Sequence, residues 1–151
     1  MSGSETIAGS ARTIHGSCHC GNIRFVLDWP DAGATISARA CGCGHCTKHR
    51  AAWTSNPKGQ FQLHVTDPAK APIYRFGTGT ADFHVCAECG IVPIVTSVLD
   101  GARYAVFNVN TFDDVARSEI AVVPTDFEAE ALESRLARRK RTWTPEARAA
   151  A

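Results

Sequence analysis

The stretch CGCGHC, residues 41–46, places three cysteines within six positions and fills the gaps with two glycines and a histidine. A disulfide needs two cysteines, and a closed tetrahedral zinc site needs four ligands. Cysteines separated by one or two residues on a tight turn can direct their sulfurs at one point, as a metal ion requires. The stretch therefore predicts a metal site in which the source of the fourth ligand must still be identified.

Two cysteine pairs flank this stretch along the chain. Cys18 and Cys20 lie in GSCHCGNIRF, and Cys86 and Cys89 lie in FHVCAECGIVPI. Each pair is followed by a glycine and then by an apolar run of β type, which is typical of a metal-binding turn that leads into a strand. Together the two pairs supply the four thiolates of a closed site. A structural zinc ion in such a site contributes about 10–16 kcal/mol of apparent binding energy.

The spacing leaves other groupings open. The first pair could instead join two cysteines of the 41–46 stretch. His49 follows the stretch by three residues and could close it into a structural site, whereas His45 lies inside the stretch and could hardly turn back onto the same ion. If neither alternative holds, Cys41, Cys43 and Cys46 leave one coordination position open, which is the pattern of catalytic zinc.

Composition and length place the chain among ordinary globular proteins. It has 151 residues, of which 44% are hydrophobic and 21% charged, and its net charge of +1 favours no class of partner. No apolar run approaches the roughly 20 residues that span a bilayer. The start, MSGSETIAGSAR, lacks the apolar core of a signal peptide, so we expect a cytoplasmic protein. In that compartment, seven cysteines indicate metal binding or catalysis rather than disulfides.

Short strands separated by glycine and proline predict a mainly β fold. In FQLHVT, residues 61–66, apolar and polar residues alternate, and Asp100-Gly101 predicts a hairpin between two apolar strands. We expect three segments: a disordered lead over 1–12, a zinc-binding β domain over 13–123, and a helical tail over 124–151.

The tail predicts one helix over 127–141. Thr125 and Glu128 have the spacing of a capping box, and Leu132 and Leu136 form a narrow apolar stripe that we expect to dock on the sheet. We interpret the basic end of this helix as solvated rather than as a nucleic-acid or phosphate site, because the overall charge is close to zero. Trp143 is expected to anchor the tail by packing.

Four stretches carry a family resemblance: HGSCHCGNIRF at 15–25, CGCGHCTKHRAAW at 41–53, YRFGTGTADFHVCAECGIVPIV at 74–95 and YAVFNVNTFDD at 104–114. Their order and internal spacings resemble the glutathione-dependent formaldehyde-activating enzyme family, which includes the centromere-protein-V-type domains. The resemblance covers about residues 13–115. It implies a β-tent fold of small twisted antiparallel sheets and two zinc ions per chain. One ion would be held by Cys18, Cys20, Cys86 and Cys89, and the other by Cys41, Cys43 and Cys46.

The resemblance also implies a function. It predicts a zinc-dependent carbon–sulfur lyase or synthase that acts on adducts of a small thiol, namely glutathione plus formaldehyde giving S-hydroxymethylglutathione, as in formaldehyde detoxification. His49 is a candidate proton relay or carboxylate partner beside the catalytic zinc. His84, just before the last cysteine pair, is expected either to orient the metal site or to lie on the surface. The alternative function is a non-catalytic, zinc-stabilised glutathione carrier or interaction module. Neither nucleic acid nor an organic cofactor is expected.

Overall fold

The computed structural model describes residues 11–127 and 129–148, and its regular secondary structure consists mainly of short strands. Residues 1–10 of the expected disordered lead and Glu128 of the expected capping box lie outside the described residues. The strands are β1 (Arg12–Ser17), β2 (Ile23–Trp29), β3 (Ile36–Cys41), β4 (Trp53–Thr54), β5 (Gln60–Val65), β6 (Ile73–Tyr74), β7 (Asp82–His84), β8 (Ile94–Leu99), β9 (Ala102–Asn108), β10 (Ile120–Thr125) and β11 (Thr144–Pro145). The helices are α1 (Gly44–His49) and α2 (Leu132–Thr142).

These strands form two sheets. The smaller has the order β1-β2-β5, and the larger has the order β10-β3-β4-β9-β8-β7-β6, with β11 paired to β9. The predicted fold class, mainly β with a C-terminal helix, is confirmed. One pairing differs from the antiparallel sheets that we expected, since β10 runs parallel to β3. A parallel pair needs a long crossover, and the long segment between these two strands provides it.

The main core lies between the two sheets. Every second residue of β2 is buried, from Ile23 to Trp29, as expected for a strand with one solvated face. The ring centroids of Phe25 and Phe107 lie 4.9 Å apart, and those of Phe61 and Phe107 lie 5.7 Å apart. These contacts fix the small sheet against one face of the large sheet.

The other face of the large sheet is also covered, which explains why β8 is buried at almost every position. Val95 and Val106 point to this second face and pack with Trp53, Phe83 and Trp143. The hairpin predicted at Asp100-Gly101 is present between β8 and β9. The second face matters for function because the cavity described below lies on it.

The C-terminal segment covers part of this second face. Trp143 is 6% exposed in the cluster with Trp53, which confirms the predicted anchor. The helix begins at Leu132 rather than near residue 127. The prediction that the apolar stripe docks on the sheet is wrong, since Leu132 is 46% exposed. Arg139 is 7% exposed instead, because its guanidinium finds hydroxyl partners on the sheet side, Thr80 at 2.9 Å and Ser97 at 3.3 Å.

The expected division of the chain into three segments stays a prediction. Its second boundary, between residues 123 and 124, falls inside β10. In the described part of the chain, no helix has both the length and the apolar character needed to cross a membrane.

Candidate functional site

The first and last cysteine pairs come together in space. The Sγ atoms of Cys18, Cys20, Cys86 and Cys89 all lie within 4.8 Å of one another. Two of the Sγ–Sγ distances are 3.8 Å, from Cys18 to Cys20, and 3.4 Å, from Cys20 to Cys86. Sulfurs at the corners of a tetrahedron about 2.3 Å from a zinc ion lie about 3.8 Å apart. The donor set and its spacing therefore fit a closed four-thiolate zinc site, the structural group.

Two similar turns build this structural group. In the first, the Gly21 N–H donates to the Cys18 carbonyl at 3.1 Å, and in the second the Gly90 N–H donates to the Cys86 carbonyl at 2.8 Å. Both glycines have positive φ, 87° and 80°, which other residues adopt at a cost. The glycine after each pair, visible in the sequence, is thus what turns the chain back so that both cysteines face one point.

The thiols of the structural group depend on one another. Burial raises the pKa of the Cys89 thiol, but hydrogen bonds from the backbone of Cys20 and Ile91 and from neighbouring thiols lower it to about 6. Cys18 and Cys86 are buried in the main core, at 1% and 0% exposed. A cation that accepts four thiolates here would neutralise charge that the core cannot solvate.

The cysteines of the 41–46 stretch form a second group, which we call the cysteine triplet. Cys41 ends β3, Cys43 precedes α1, and Cys46 lies on α1, so a strand end and one helical turn bring the three sulfurs within 4.8 Å of one another. The Cys46 N–H donates to Cys43 Sγ at 3.4 Å, which caps the helix. Among the described residues, no histidine or carboxylate joins this group, so the triplet offers three protein ligands.

Hydrogen bonding within the triplet favours a thiolate. The hydrogen bond with the Cys46 thiol lowers the pKa of Cys41 to about 5, although burial acts in the opposite direction. The same hydrogen bond raises the pKa of Cys46, and burial adds to that rise. The hydrogen bond shared by Cys41 and Cys46 therefore favours a thiolate within the triplet, and the thiolate is the form that a metal ion binds.

A cavity of about 310 Å³ opens beside the triplet on the second face of the large sheet. Sequence reasoning did not predict it, because its walls come from parts of the chain far apart in sequence. The apolar lining includes Trp53, Phe76, Phe83, Val95, Val106 and Trp143. This volume lies near the lower end of the range for small-molecule sites, about 300–1,000 Å³. The triplet thus faces a partly open cavity suited to a small substrate.

Four arginines also line the cavity, and we call them the arginine wall: Arg39, Arg135, Arg138 and Arg139. Arg138 pairs with Glu130 and lies over the Phe127 ring, 3.8 Å from the ring centroid. Burial, together with the nearby guanidinium groups of Arg135 and Arg138, lowers the pKa of Arg139 to about 10. The expectation that the basic end of the helix is solvated is therefore wrong for Arg135, Arg138 and Arg139. The spacing of these three arginines, three and four positions apart, was the sequence signal that could have predicted one shared helix face.

The histidines near the cysteines lie outside this cavity. His49 stacks on His45, with ring centroids 5.5 Å apart, and both line a separate cavity of about 400 Å³ with Tyr74. The structure does not bring His49 into either cysteine group, and its catalytic role stays a prediction. His84 is 7% exposed and lies 2.8 Å from Thr96 Oγ1, so the surface position considered for it is wrong. Burial lowers the pKa of His84 to about 4.

Comparison with known proteins agrees with this geometry. The family model described as "Glutathione-dependent formaldehyde-activating enzyme" matches residues 13–129, which hold all seven cysteines. A crystal structure of a Rhodobacter sphaeroides protein is similar to this chain, with 25% sequence identity and a TM-score of 0.54. The similarity covers 73% of this chain and 97% of that one. On the extent of the family match, the chain belongs to the glutathione-dependent formaldehyde-activating enzyme family.

Proposed function

We propose that the protein is a zinc-dependent carbon–sulfur lyase or synthase that interconverts glutathione plus formaldehyde with S-hydroxymethylglutathione. One observation carries this proposal: among the described residues the three-cysteine group has no fourth protein ligand, and it borders a partly open cavity. Three protein ligands beside a substrate-sized space are typical of catalytic zinc, whereas four buried thiolates are typical of structural zinc. Family membership supports the choice of thiol and aldehyde.

Each cysteine group has a separate part in this proposal. Cys18, Cys20, Cys86 and Cys89 would hold a structural zinc ion, and Cys41, Cys43 and Cys46 would hold a second one. When bound, the second ion supplies one chemical effect, which is to keep a coordinated thiol deprotonated at neutral pH. A free thiol with a pKa near 8.5 is only a few per cent thiolate under those conditions.

The side chains around the triplet bind and enclose the substrate. Trp53 donates a hydrogen bond to the Cys46 sulfur, and both residues line the cavity. Phe76 and Phe83, with ring centroids 4.9 Å apart, form an apolar wall beside it. Such walls exclude water, which otherwise hydrates formaldehyde and competes with the thiol. Cationic groups of the arginine wall would balance the charge of an anionic substrate.

The reaction needs neither an oxidant nor a reductant. The thiol sulfur forms a bond to the carbonyl carbon of formaldehyde, the carbon–oxygen π bond breaks, and the thiol proton is transferred overall to the oxygen. The reverse direction breaks the same carbon–sulfur bond. Thiols add to formaldehyde without help, so the rate enhancement asked of the protein is modest. We also propose a cytoplasmic, reducing location, since both cysteine groups need reduced thiols to bind metal.

The test is the rate of interconversion at equilibrium, measured by NMR exchange with ¹³C-formaldehyde and glutathione. We expect the wild-type protein with two zinc ions per chain to exceed the uncatalysed rate, and Cys43→Ser to return the rate to the uncatalysed value. The matched control is Thr47→Ala, an exposed position on the same helix that does not line the cavity. It should keep the wild-type rate.

Other outcomes separate the alternatives. Tight glutathione binding with no rate enhancement would favour the non-catalytic carrier. Two zinc ions with neither binding nor turnover would favour an interaction module. Turnover with other thiols but not with glutathione would keep the carbon–sulfur chemistry and reject this substrate.

A further inference from the structure

We propose that helix α2 makes the cavity selective for thiols that carry carboxylate groups, with Arg135 as the binding residue. This inference rests on the proposed function for the position of the reacting thiol, at the cysteine triplet. It goes further because it assigns recognition of the rest of the substrate to helix α2. This helix begins after residue 129, where the family match ends.

The spacing along α2 directs these arginines to the cavity. Residues 135, 138 and 139 occupy one face of the helix, because positions three and four apart are neighbours on its surface. All three line the cavity, whereas Arg141 on the same helix is exposed and does not. Arg139 and Trp143 hold the helix against the sheet through buried contacts, so Arg135 and Arg138 occupy a fixed position over the cavity.

Apart from the cysteine thiols, the ionisable side chains that line the cavity are cationic. Among the described residues that line it, four are arginines and none is an aspartate or glutamate. The Arg138 guanidinium already donates to the Glu130 carboxylate at 3.0 to 3.2 Å, whereas no ion pair is seen for Arg135 among the described residues. Several like charges held on one wall repel one another, and an anionic ligand would relieve that repulsion. The cavity is therefore electrostatically suited to an anion.

Unused hydrogen-bonding groups point to the same space. In the described part of the chain, four buried side-chain atoms lack a hydrogen-bond partner: His45 Nδ1, Thr125 Oγ1, Arg135 Nε and Arg139 Nε. The last three belong to residues that line this cavity, and His45 lines the other one. Buried polar groups in folded proteins are almost always paired, so unpaired groups concentrated at one cavity indicate a polar ligand. Guanidinium groups match carboxylates especially well, because they donate two parallel hydrogen bonds.

The enclosed position of these arginines favours a small molecule over nucleic acid. A nucleic-acid site requires basic side chains along an open surface that follows the phosphate backbone. Here Arg139 is 7% exposed and the side chain of Arg138 is 16% exposed. With the thiol at the triplet and the carboxylates at α2, the cavity would accept a short anionic thiol peptide such as glutathione in one orientation.

The experiment compares glutathione with its diethyl ester, which keeps the thiol and the amino group and loses both carboxylate charges. We expect the wild-type kcat/KM for glutathione to exceed that for the diester by about tenfold or more, through KM, and the excess to shrink as salt rises. Arg135→Gln should lower this ratio severalfold, mainly by raising KM for glutathione. Arg141→Gln removes the same charge from the exposed side of the helix and should leave the ratio unchanged.

The ratio separates recognition from mere folding, because a variant that loosens the helix impairs both thiols equally. Equal kcat/KM for both thiols in the wild-type protein, or a ratio that Arg135→Gln does not change, would overturn this inference while leaving the proposed function intact. The opposite case is also distinguishable. If no turnover occurs, quenching of cavity tryptophan fluorescence measures binding of each thiol directly. A preference for glutathione that Arg135→Gln removes would support the inference although the proposed function fails, and binding of neither thiol would overturn it.

Discussion

Replacing Cys89 by serine should destabilise the fold far more than replacing Cys43 by serine, although both remove one zinc-binding sulfur. The structural group links two turns that are far apart in the chain, since Cys20 and Cys86 are separated by 66 residues. Closing a loop of that length removes chain entropy worth about 4 kcal/mol from the unfolded state. The triplet closes only the 41–46 loop, for which the same relation gives about 2 kcal/mol.

Local structure widens this difference. Cys43 caps α1 through its sulfur, and serine is itself a good capping residue, so Cys43→Ser keeps that hydrogen bond. Cys89 belongs to a group that includes two cysteines of the main core, so loss of the metal leaves uncompensated thiols inside the protein. We expect the Tm of Cys89→Ser to fall by about 10 °C or more, and that of Cys43→Ser by less than about 5 °C.

Differential scanning calorimetry gives both Tm values, and elemental analysis of the same samples gives the zinc content. Cys89→Ser should lose the structural ion, whereas Cys43→Ser should keep it and lose only the other. Similar Tm values for the two variants, or a greater loss in Cys43→Ser, would refute the assignment of one group to folding and the other to catalysis.

Three further predictions follow from individual side chains. Glu130→Gln should lower the free energy of unfolding by about 1–2 kcal/mol at neutral pH. Arg138 lowers the pKa of Glu130, so this stabilisation is present above the ordinary glutamate pKa and is lost as the pH falls through the lowered pKa. Denaturation at several pH values should therefore show the stabilities of the variant and the wild type converging in acid. Trp143→Ala should cost about 3–5 kcal/mol, because the indole is 6% exposed in the second core; an unchanged Tm would contradict that packing role. His49→Gln should keep kcat/KM within about threefold, since His49 lines the other cavity; a much larger loss in the exchange assay would show that His49 takes part after all.

Much of the metal chemistry could be predicted from the sequence because it is local. A cysteine pair followed by glycine specifies a turn whatever surrounds it, and the observed φ values of Gly21 and Gly90 agree with that interpretation. The spacing within 41–46 likewise determined that three sulfurs could meet. The partition between the two groups was one of several that the spacing allowed. It depends on the pairing of distant strands, which brings Cys20 beside Cys86.

The cavity and its charge could not be predicted from the sequence, because they depend on which face of a helix is buried. Hydrophobic periodicity pointed to Leu132, yet the packed face carries Arg139, whose charge is tolerated because two hydroxyl groups accept its hydrogen bonds. Those hydroxyls come from Thr80 and Ser97, more than forty positions away in the chain. Residues close in sequence thus determined where metal could bind, since turn geometry is a local property. Only the tertiary structure decided what lies beside the metal, since packing joins segments that no local pattern connects.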